Sequence, residues 1–411
     1  MANPLQLGLV NFTKGAFITV EGKMADRFFI IRSGKVILSK EFEIEEEQGG
    51  QTLNPGDFFG VVSTMSTHSH IDNARALTDV TLISVRKDQY SMLIERNTPV
   101  ALKIINVFST RVRALDQALT RLTFQAAAEI EAPHLFKVAE YYARQNQFNQ
   151  AYFAYYKYIK HCPDGKNVPV ATERMNKIKP YATVAHLDVE NSTEFMRQYP
   201  KDTMIFSEGE SGPELYIIQK GSVRITKIVD DDEVMLAILK PGDIFGEMAL
   251  LEDKPRSASA IAHEDTVLLA VNRGNFKGMV VDQPKIISRL TILLAERIWS
   301  LYKQLANTML EDPVGRLYDA LKNELEKERI DLSENISHTF GFGPKELLTM
   351  VGLSSEDGNA AIQTIFGNSK MKIVNNRIHV TDIRELQKQS EYYQKMAKLN
   401  RSRQAGSIRN R

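Results

Sequence analysis

Two copies of one glycine-punctuated pattern occur in the chain, and this repeat limits its possible folds more than any other feature. The matching residues are Gly22 with Gly209 and Gly34 with Gly221 at an offset of 187, then Pro55-Gly56-Asp57 with Pro241-Gly242-Asp243, Phe59-Gly60 with Phe245-Gly246 and Val85 with Val271 at an offset of 186. Because several separate matches need only one single-residue slip, we interpret the chain as carrying a duplicated domain.

Each copy contains short runs of β-branched and aromatic residues, such as Phe28-Phe29-Ile30-Ile31 in the first and Tyr216-Ile217-Ile218 in the second. Glycine or Pro-Gly-Asp turns separate these runs. Many short strands joined by such turns predict a β-barrel or jelly roll for each copy.

A long helical pattern with an apolar seam follows each copy. The first seam consists of Ile105, Phe108, Val112, Leu115, Leu119 and Leu122, and the second of Ile287, Leu290, Leu294, Ile298, Leu301 and Leu305. The second seam contains a stutter. Two interpretations remain open, packing of each helix on its own barrel or pairing in a homodimer.

The composition excludes a disordered chain, a collagen-like chain and a small disulfide-stapled protein. With 411 residues, 43% hydrophobic and 25% charged, the chain resembles a globular protein of two to four domains at roughly 100 to 200 residues each. The 52 basic and 51 acidic residues give no overall preference for nucleic acid or membrane. A single cysteine, Cys162, excludes an internal disulfide. Since neither a signal peptide nor an apolar run of roughly 20 residues is found, we expect a cytoplasmic protein without membrane insertion.

The second copy contains Phe245-Gly246-Glu247-Met248-Ala249-Leu250 and then Pro255-Arg256-Ser257-Ala258, which resembles the phosphate cassette of cyclic-nucleotide-binding domains. The resemblance covers both repeats, about residues 13–123 and 195–306, and is specific in the second. It implies an allosteric cyclic nucleotide and no metal. Backbone N–H groups from Gly246 to Ala249, Met248 included, suit a phosphate, and Gly246 lets the backbone come close.

The side chains of the cassette fit the rest of the ligand. Arg256 offers a fork of donors for two phosphate oxygens, and the resemblance assigns the ribose 2′-hydroxyl to Glu247. Ser257 is placed to contact the phosphate or a guanine edge. The alternative is that Glu247 and Arg256 merely pair with each other on a barrel turn.

The purine is harder to assign. Tyr302 or Trp299 on the long helix is placed to stack on the base, although an aromatic residue on a helix is more often part of the core. Cyclic AMP and cyclic GMP both stay open, with cyclic AMP favoured.

The first copy departs from this pattern, because Val61 replaces the glutamate and His70 the arginine. Valine cannot bond a hydroxyl, and histidine is mostly neutral at pH 7. We therefore predict that this copy does not bind a cyclic nucleotide and serves as a structural or protein-interaction domain.

Between the copies, residues 131–180 have a helical pattern with Ala139, Tyr142, Ala151, Tyr155 and Pro163 at tetratricopeptide-repeat spacing. One such repeat cannot bury its own face. A helical hairpin that spaces the two β domains is favoured over a groove for a protein partner.

At the C-terminal end, Asp312-Pro313-Val314-Gly315-Arg316 is similar to the stretch that precedes the DNA-binding domain of catabolite-activator/Fnr (Crp/Fnr) regulators. Residues 344–366 have helix-turn-helix form, a two-stranded wing follows, and the whole resembles a winged helix over about 312–383. The predicted DNA contacts are Ser355, Asn359, Gln363 and Arg377. Two acidic residues early in the second helix oppose DNA binding.

A basic tail ends the chain, since residues 370–411 contain 11 Lys and Arg against 3 Asp and Glu. Such a tail either grips phosphates or remains a solvated end.

These observations predict a multidomain α+β protein built as a jelly roll with a long helix, a helical insert, a second jelly roll with a long helix, a winged helix and a tail. The predicted boundaries are 1–124, 125–190, 191–310, 311–385 and 386–411. The favoured function is a cyclic-nucleotide-binding transcriptional regulator, and the alternative is a nucleotide-tuned scaffold whose winged helix no longer binds DNA. No enzyme signature is found in the sequence, and the regulatory subunits of cyclic-AMP-dependent kinases are the least favoured comparison.

Overall fold

The computed structural model of the chain describes residues 7–40, 50–124, 133–182, 196–212, 214–229, 232–246, 255–272, 284–353 and 355–409. Its internal contacts divide the chain into two units. The first unit comprises residues 1–88, 114–126 and 295–411, and the second comprises residues 89–113 and 127–294.

In the first unit, two four-stranded antiparallel sheets form the first β domain, with strand orders β1-β8-β3-β6 and β2-β7-β4-β5. The strands are β1 (Gly8–Phe12), β2 (Phe17–Thr19), β3 (Arg27–Ser33), β4 (Val36–Ser39), β5 (Gln51–Leu53), β6 (Phe58–Phe59), β7 (Asn73–Ala76) and β8 (Val80–Arg86), with helix α1 (Val61–Ser66) after β6. Both sheets supply the core, in which Ile31 and Leu82 of one sheet join Val36 and Ala74 of the other.

The second unit contains the second β domain, with the same strand orders, β9-β16-β11-β14 and β10-β15-β12-β13. The strands are β9 (Met196–Tyr199), β10 (Met204–Phe206), β11 (Glu214–Lys220), β12 (Val223–Val229), β13 (Asp232–Leu239), β14 (Ile244–Phe245), β15 (Ser259–Ala262) and β16 (Thr266–Asn272). Strand for strand, the two β domains have one topology, which confirms the duplication predicted from the repeat.

The shared turn glycines have a steric reason. Gly34 and Gly221 both have a φ near +80°, and a Cβ atom would lie 2.3 Å from the Asp79 carbonyl oxygen at Gly34 and 2.4 Å from that of Asp265 at Gly221. Only glycine fits either turn without moving the backbone, so the repeat pattern records a backbone requirement.

The described part of the insert contains three helices, α4 (His134–Arg144), α5 (Phe148–His161) and α6 (Val168–Ile178), so the structure adds a third helix to the expected hairpin. The side chains predicted from the repeat spacing, Ala139, Tyr142, Ala151 and Tyr155, are all fully buried. The insert core also contains Met204, Ile228 and Ile261 of the second β domain. The insert therefore buries its apolar face against a β sheet, which a single helical repeat requires.

The long helices divide between the units. Helix α2 spans Tyr90–Arg96. Two long helices, α3 (Thr98–Phe124) and α7 (Pro284–Thr308), each begin in the second unit and end in the first. In the second unit, the Tyr90 hydroxyl bonds the Thr291 hydroxyl at 2.8 Å. All six predicted seam residues of α7 are buried within the single chain, whereas Leu122 of α3 is 54% exposed.

The C-terminal part of the first unit contains α8 (Pro313–Lys327), β17 (His338–Thr339), α9 (Pro344–Val351), α10 (Ser355–Phe366), β18 (Met371–Val374), β19 (Arg377–Val380) and α11 (Arg384–Arg409). Asp312 caps α8 by accepting hydrogen bonds from the N–H groups of Val314 and Gly315. The three strands form one sheet in the order β17-β19-β18.

The basic tail differs from the expectation of a solvated end, because Arg384–Arg409 is one helix. Buried Asp319 of α8 accepts hydrogen bonds from Ser390 at 2.9 Å and from Gln394 at 2.8 Å. Tyr393 packs against Gly315, where a Cβ atom would lie 2.7 Å from the tyrosine Cβ. One face of the tail thus belongs to the folded C-terminal domain.

Candidate functional site

Arg256 lies at the centre of the predicted nucleotide site, three residues before β15 of the second β domain. Its N–H donates to the carbonyl oxygen of Glu210 at 2.8 Å, and its carbonyl oxygen accepts from the N–H of Gly209 at 2.9 Å. The residue is only 4% exposed. The loop between β10 and β11 therefore sets the position of the arginine backbone.

The guanidinium group of Arg256 is fixed by two further carbonyl oxygens. Nη1 donates to the oxygen of Gly246 at 2.6 Å, and Nη2 donates to the oxygen of Glu214 at 2.7 Å. Its Cζ atom lies 4.1 Å from the centre of the Phe206 ring, within the range of a cation–π interaction. The protein's own backbone and the Phe206 ring thus hold the side chain in one orientation, and a side chain held in this way loses less entropy when it binds an anion.

Two glycines make room for this guanidinium group. Gly246 has a φ of +77°, and a Cβ atom there would lie 2.5 Å from Nη1 of Arg256. At Gly212 a Cβ atom would lie 3.0 Å from Nη2. The close approach at Gly246 is therefore made to the arginine of the site itself, in addition to the close approach to phosphate expected from the sequence.

Glu214 was missed by the sequence reasoning, although it helps to build the site. Its carboxylate accepts two hydrogen bonds from Arg197, at 2.6 and 2.7 Å, and one from the Tyr216 hydroxyl at 3.0 Å. Burial holds the pKa of Tyr216 well above its usual range, so the hydroxyl remains a donor. The bidentate pair of Arg197 and Glu214 holds the start of β11 in place. There, the backbone carbonyl oxygen of Glu214 accepts the hydrogen bond from Arg256.

The remaining predicted ligand contacts are distributed as follows. Glu247, Met248 and Ala249 lie outside the described residues. Half-buried Ser257 follows Arg256 directly. In the first unit, the Tyr302 hydroxyl donates to Glu21 Oε1 at 2.8 Å.

Trp299, the other aromatic residue considered for the base, also packs within the first unit. Its ring stacks on His68 with centroids 3.9 Å apart. The second unit therefore contains Gly246, Arg256 and Ser257, whereas Tyr302 and Trp299 have partners in the first. The assignment of a base contact to Tyr302 stays a prediction.

His70 of the first β domain occupies the position that Arg256 has in the second. Its N–H donates to the Lys23 carbonyl oxygen at 2.7 Å, and its own carbonyl oxygen accepts from the N–H of Gly22 at 2.8 Å. The same two backbone bonds hold Arg256. The alignment of histidine with arginine is thus a structural equivalence.

The first β domain has a buried histidine and a buried valine where the second has arginine and glutamate. His70 is 7% exposed, and burial lowers the pKa of its imidazole below 6.5 despite the opposing carboxylates of Asp72 and Asp26. The imidazole is therefore neutral at pH 7. Val61, in place of the glutamate, is 1% exposed. These features agree with the prediction that the first domain binds no cyclic nucleotide, which stays a prediction.

The predicted DNA contacts lie on two elements of the C-terminal domain. Ser355 begins α10, Asn359 and Gln363 are exposed on that helix, and Arg377 is exposed at the start of β19. Asn375 and Asn376 form the turn before β19 with φ values of +49° and +59°. Two successive left-handed residues are typical of a tight hairpin turn.

Metal-ligand groups and membrane-spanning helices are both absent from the described part of the chain. No group of three or more His, Cys, Asp or Glu side chains there is arranged to hold a metal ion. No helix in those same ranges is long and apolar enough to cross a bilayer.

Comparison with known proteins gives a consistent result. The family model of the cyclic nucleotide-binding domain matches residues 9–97 and 196–283. Over 161 residues the chain is 34% identical to the cyclic AMP receptor protein of Thermus thermophilus, covering 39% of this chain and 71% of that protein. Over 189 residues it is 26% identical to the CRP-like cAMP-activated global transcriptional regulator of Mycobacterium tuberculosis, covering 46% and 84%.

Among solved structures, the Thermus thermophilus catabolite activator protein is 28% identical, with a TM-score of 0.29, and the match covers 51% of this chain and 96% of that one. The sequence relationship to the cyclic AMP receptor protein decides the family, and the twofold domain match agrees with the two β domains. The chain therefore belongs to the Crp/Fnr family of regulators and contains the cyclic-nucleotide-binding domain of that family twice.

Proposed function

We propose that the protein is a cyclic-nucleotide-responsive transcriptional regulator that binds one cyclic AMP per chain in its second β domain. The observation that carries the proposal is the buried Arg256 guanidinium group, ordered by Gly246 and Glu214. A phosphodiester anion needs a charge partner in such a buried place, and an ordered guanidinium group supplies it with two parallel donors. Glu247 is proposed to accept the ribose 2′-hydroxyl.

Cyclic AMP is proposed over cyclic GMP because the relatives are named for cyclic AMP. The test is calorimetric titration of the full chain with cyclic AMP and then with cyclic GMP, reading stoichiometry and affinity. We expect one site per chain and tighter binding of cyclic AMP. Two sites would contradict the inactive first domain, and absence of binding would refute the proposal.

The signal is proposed to pass along α7 to the C-terminal domain. In the first unit, Asn307 near the end of α7 donates to the Arg316 carbonyl oxygen at 2.8 Å and to Asp319 Oδ2 at 3.0 Å. Lys303 pairs with Glu326 of α8 at 3.0 Å. A shift of α7 would therefore be transmitted to α8, a coupling typically worth roughly 1–3 kcal/mol.

We propose that the C-terminal domain is a winged helix that binds duplex DNA, with Asn359 and Gln363 of α10 as base contacts and Arg377 on the wing. Amide side chains suit adenine in the major groove. The measurement is fluorescence anisotropy with duplex DNA over a series of salt concentrations, with and without cyclic AMP. Affinity that falls steeply with salt and rises with cyclic AMP would support the proposal.

A second candidate function is a nucleotide-tuned protein scaffold. The wing favours it, because Ile373 is 52% and Val374 is 45% exposed, and both are apolar. Absence of DNA binding even at low salt, together with nucleotide binding, would favour the scaffold over the transcriptional regulator.

A further inference from the structure

The loop between β10 and β11 contains two buried carboxylates next to the backbone of Arg256. Glu208 is 1% exposed and Glu210 is 4% exposed. Burying a carboxylate is unfavourable unless a charge or hydrogen-bond donors compensate. Each of these two carboxylates therefore needs partners in its immediate surroundings.

The helical insert supplies the charged partner of Glu210, whereas the N–H of Ile228 in β12 donates to Glu208 Oε2 at 3.1 Å. Lys157 of α5 is 1% exposed, and its Nζ atom lies 2.7 Å from Glu210 Oε1. The other oxygen of Glu210 accepts from the N–H of Ser207 at 2.9 Å. At the start of α4, His134 Nε2 lies 3.5 Å from Glu208 Oε1. The insert thus contacts both acidic residues of the loop from one side.

The same loop holds Arg256 from the other side. Two consecutive loop residues, Gly209 and Glu210, bond the Arg256 backbone. Glu210 is also the ion-pair partner of Lys157. From Lys157 to Arg256 the connection needs only one ion pair and one backbone hydrogen bond. A displacement of α5 would therefore move the backbone on which the guanidinium group is mounted.

The first β domain offers an internal comparison. There, Lys23 replaces Glu210 in the equivalent pair of backbone bonds, and Lys23 is exposed. The position equivalent to Arg256 is the neutral His70. The buried acid at this position thus occurs in the domain that has both the arginine and the packed insert.

We propose that the helical insert is a positioning element of the nucleotide site and that Lys157 acts through Glu210 to hold the loop that mounts Arg256. The inference rests on the proposed function for its effect on affinity. Because a buried ion pair is weak evidence of net stability, the role proposed for the Lys157–Glu210 pair is to fix the geometry of the loop. Since coupling is reciprocal, a bound nucleotide would also protect α5 from opening.

Three variants test the proposal by calorimetric titration with cyclic AMP: Lys157→Met, Glu210→Gln and the double variant. Each single variant is expected to weaken binding by roughly two- to thirtyfold. The double variant, which leaves no unpaired buried charge, is expected to be about as weak as either single variant. Recovery of wild-type affinity in the double variant would mean that unpaired charge caused the loss, and would overturn the proposal.

The matched control is Tyr142→Phe, which removes the 2.8 Å hydrogen bond from α4 to Glu233 at another part of the same insert surface. It is expected to leave cyclic AMP affinity unchanged. If it weakens binding as much as Lys157→Met does, the insert acts only through general stability and the positioning role is wrong.

Amide hydrogen exchange of the ligand-free chain separates this proposal from the proposed function. Lys157→Met is expected to accelerate exchange at the Gly209 and Arg256 amides, whereas Tyr142→Phe is not. Unchanged exchange at these two amides would overturn the proposal. If the wild-type chain binds no cyclic nucleotide, the proposed function fails, and this exchange result alone decides whether Lys157 positions the loop.

Discussion

His70 and Arg256 are held by the same two backbone hydrogen bonds in their respective β domains, made to two consecutive residues of the equivalent loop. The scaffold that presents the side chain has therefore been kept in both copies, while the side chain itself differs. One copy presents an ordered guanidinium group and the other a buried, neutral imidazole.

Replacing Arg256 by alanine removes the charge partner of a buried phosphate. We expect cyclic AMP binding to weaken by at least about thirtyfold, since truncating one partner of a buried charge pair typically costs roughly 2 kcal/mol or more. Calorimetry measures the loss, and the circular dichroism spectrum should remain that of the wild type. The control is Arg224→Ala, which removes an arginine paired with Asp202 in the same β domain. Equal losses in both variants would contradict the assignment.

Gly246→Ala tests the steric argument at the cassette. The new Cβ atom would meet Nη1 of Arg256 at 2.5 Å, and the φ of +77° is strained for alanine. We expect a loss of stability of roughly 1–2 kcal/mol from the backbone alone, together with weaker nucleotide binding. Gly341→Ala is the control, because nothing lies within 4 Å of a Cβ atom there. Chemical denaturation and titration of both variants provide the comparison.

The pH dependence of the first β domain follows from His70. Burial lowers the pKa of its ring below the ordinary value of 6.5, so the unfolded chain takes up this proton at a higher pH than the folded domain does. The contribution of His70 to the stability of the folded domain is therefore fully present above pH 6.5. It is lost as the pH falls through the pKa that His70 has in the folded domain.

We expect His70→Gln to reduce this loss, measured as amide exchange in β3 and β8. The ring of His70 should titrate below pH 6.5 in a nuclear magnetic resonance experiment. A midpoint at or above 6.5 would contradict the argument.

Asp319→Ala tests the junction of α7, α8 and α11. The carboxylate is 4% exposed and accepts hydrogen bonds from Asn307, Asn323, Ser390 and Gln394. Its removal leaves buried donors unpaired, and we expect the C-terminal domain to lose about 1–3 kcal/mol of stability. Limited proteolysis of α11 should accelerate. Asp331→Ala, an exposed position, should leave the proteolysis rate unchanged.

The repeat offsets were sufficient to predict the paired β domains and the equivalence of His70 with Arg256. These features depend on turns and strands that are close in sequence, where glycine spacing is a direct record of backbone geometry. The repeat spacing also singled out Tyr142 and Tyr155 of the insert, and both side chains are buried.

Other features depend on pairs distant in sequence. Lys157 and Glu210 are 53 positions apart, and Arg197 and Glu214 are 17 apart, so no local pattern connects them. The basic composition of the tail suggested phosphate binding or a solvated end and drew attention away from a packed helix. Yet Leu386, Ser390 and Tyr393 have the spacing of a helical face. Tyr302 has its partner in the first unit because α7 ends there. The periodicity of the sequence does not reveal where this helix passes from one unit to the other.

The division of α7 has a consequence for how the chain can be cut into parts. This helix follows the second copy of the duplicated domain in the sequence, yet in the first unit Trp299 stacks on His68 and Tyr302 bonds to Glu21 of the first copy. A truncated protein that keeps the second copy and its helix but lacks the first copy would therefore leave Trp299 and Tyr302 without these partners. The first copy thus has a packing role for this helix that does not depend on any ligand.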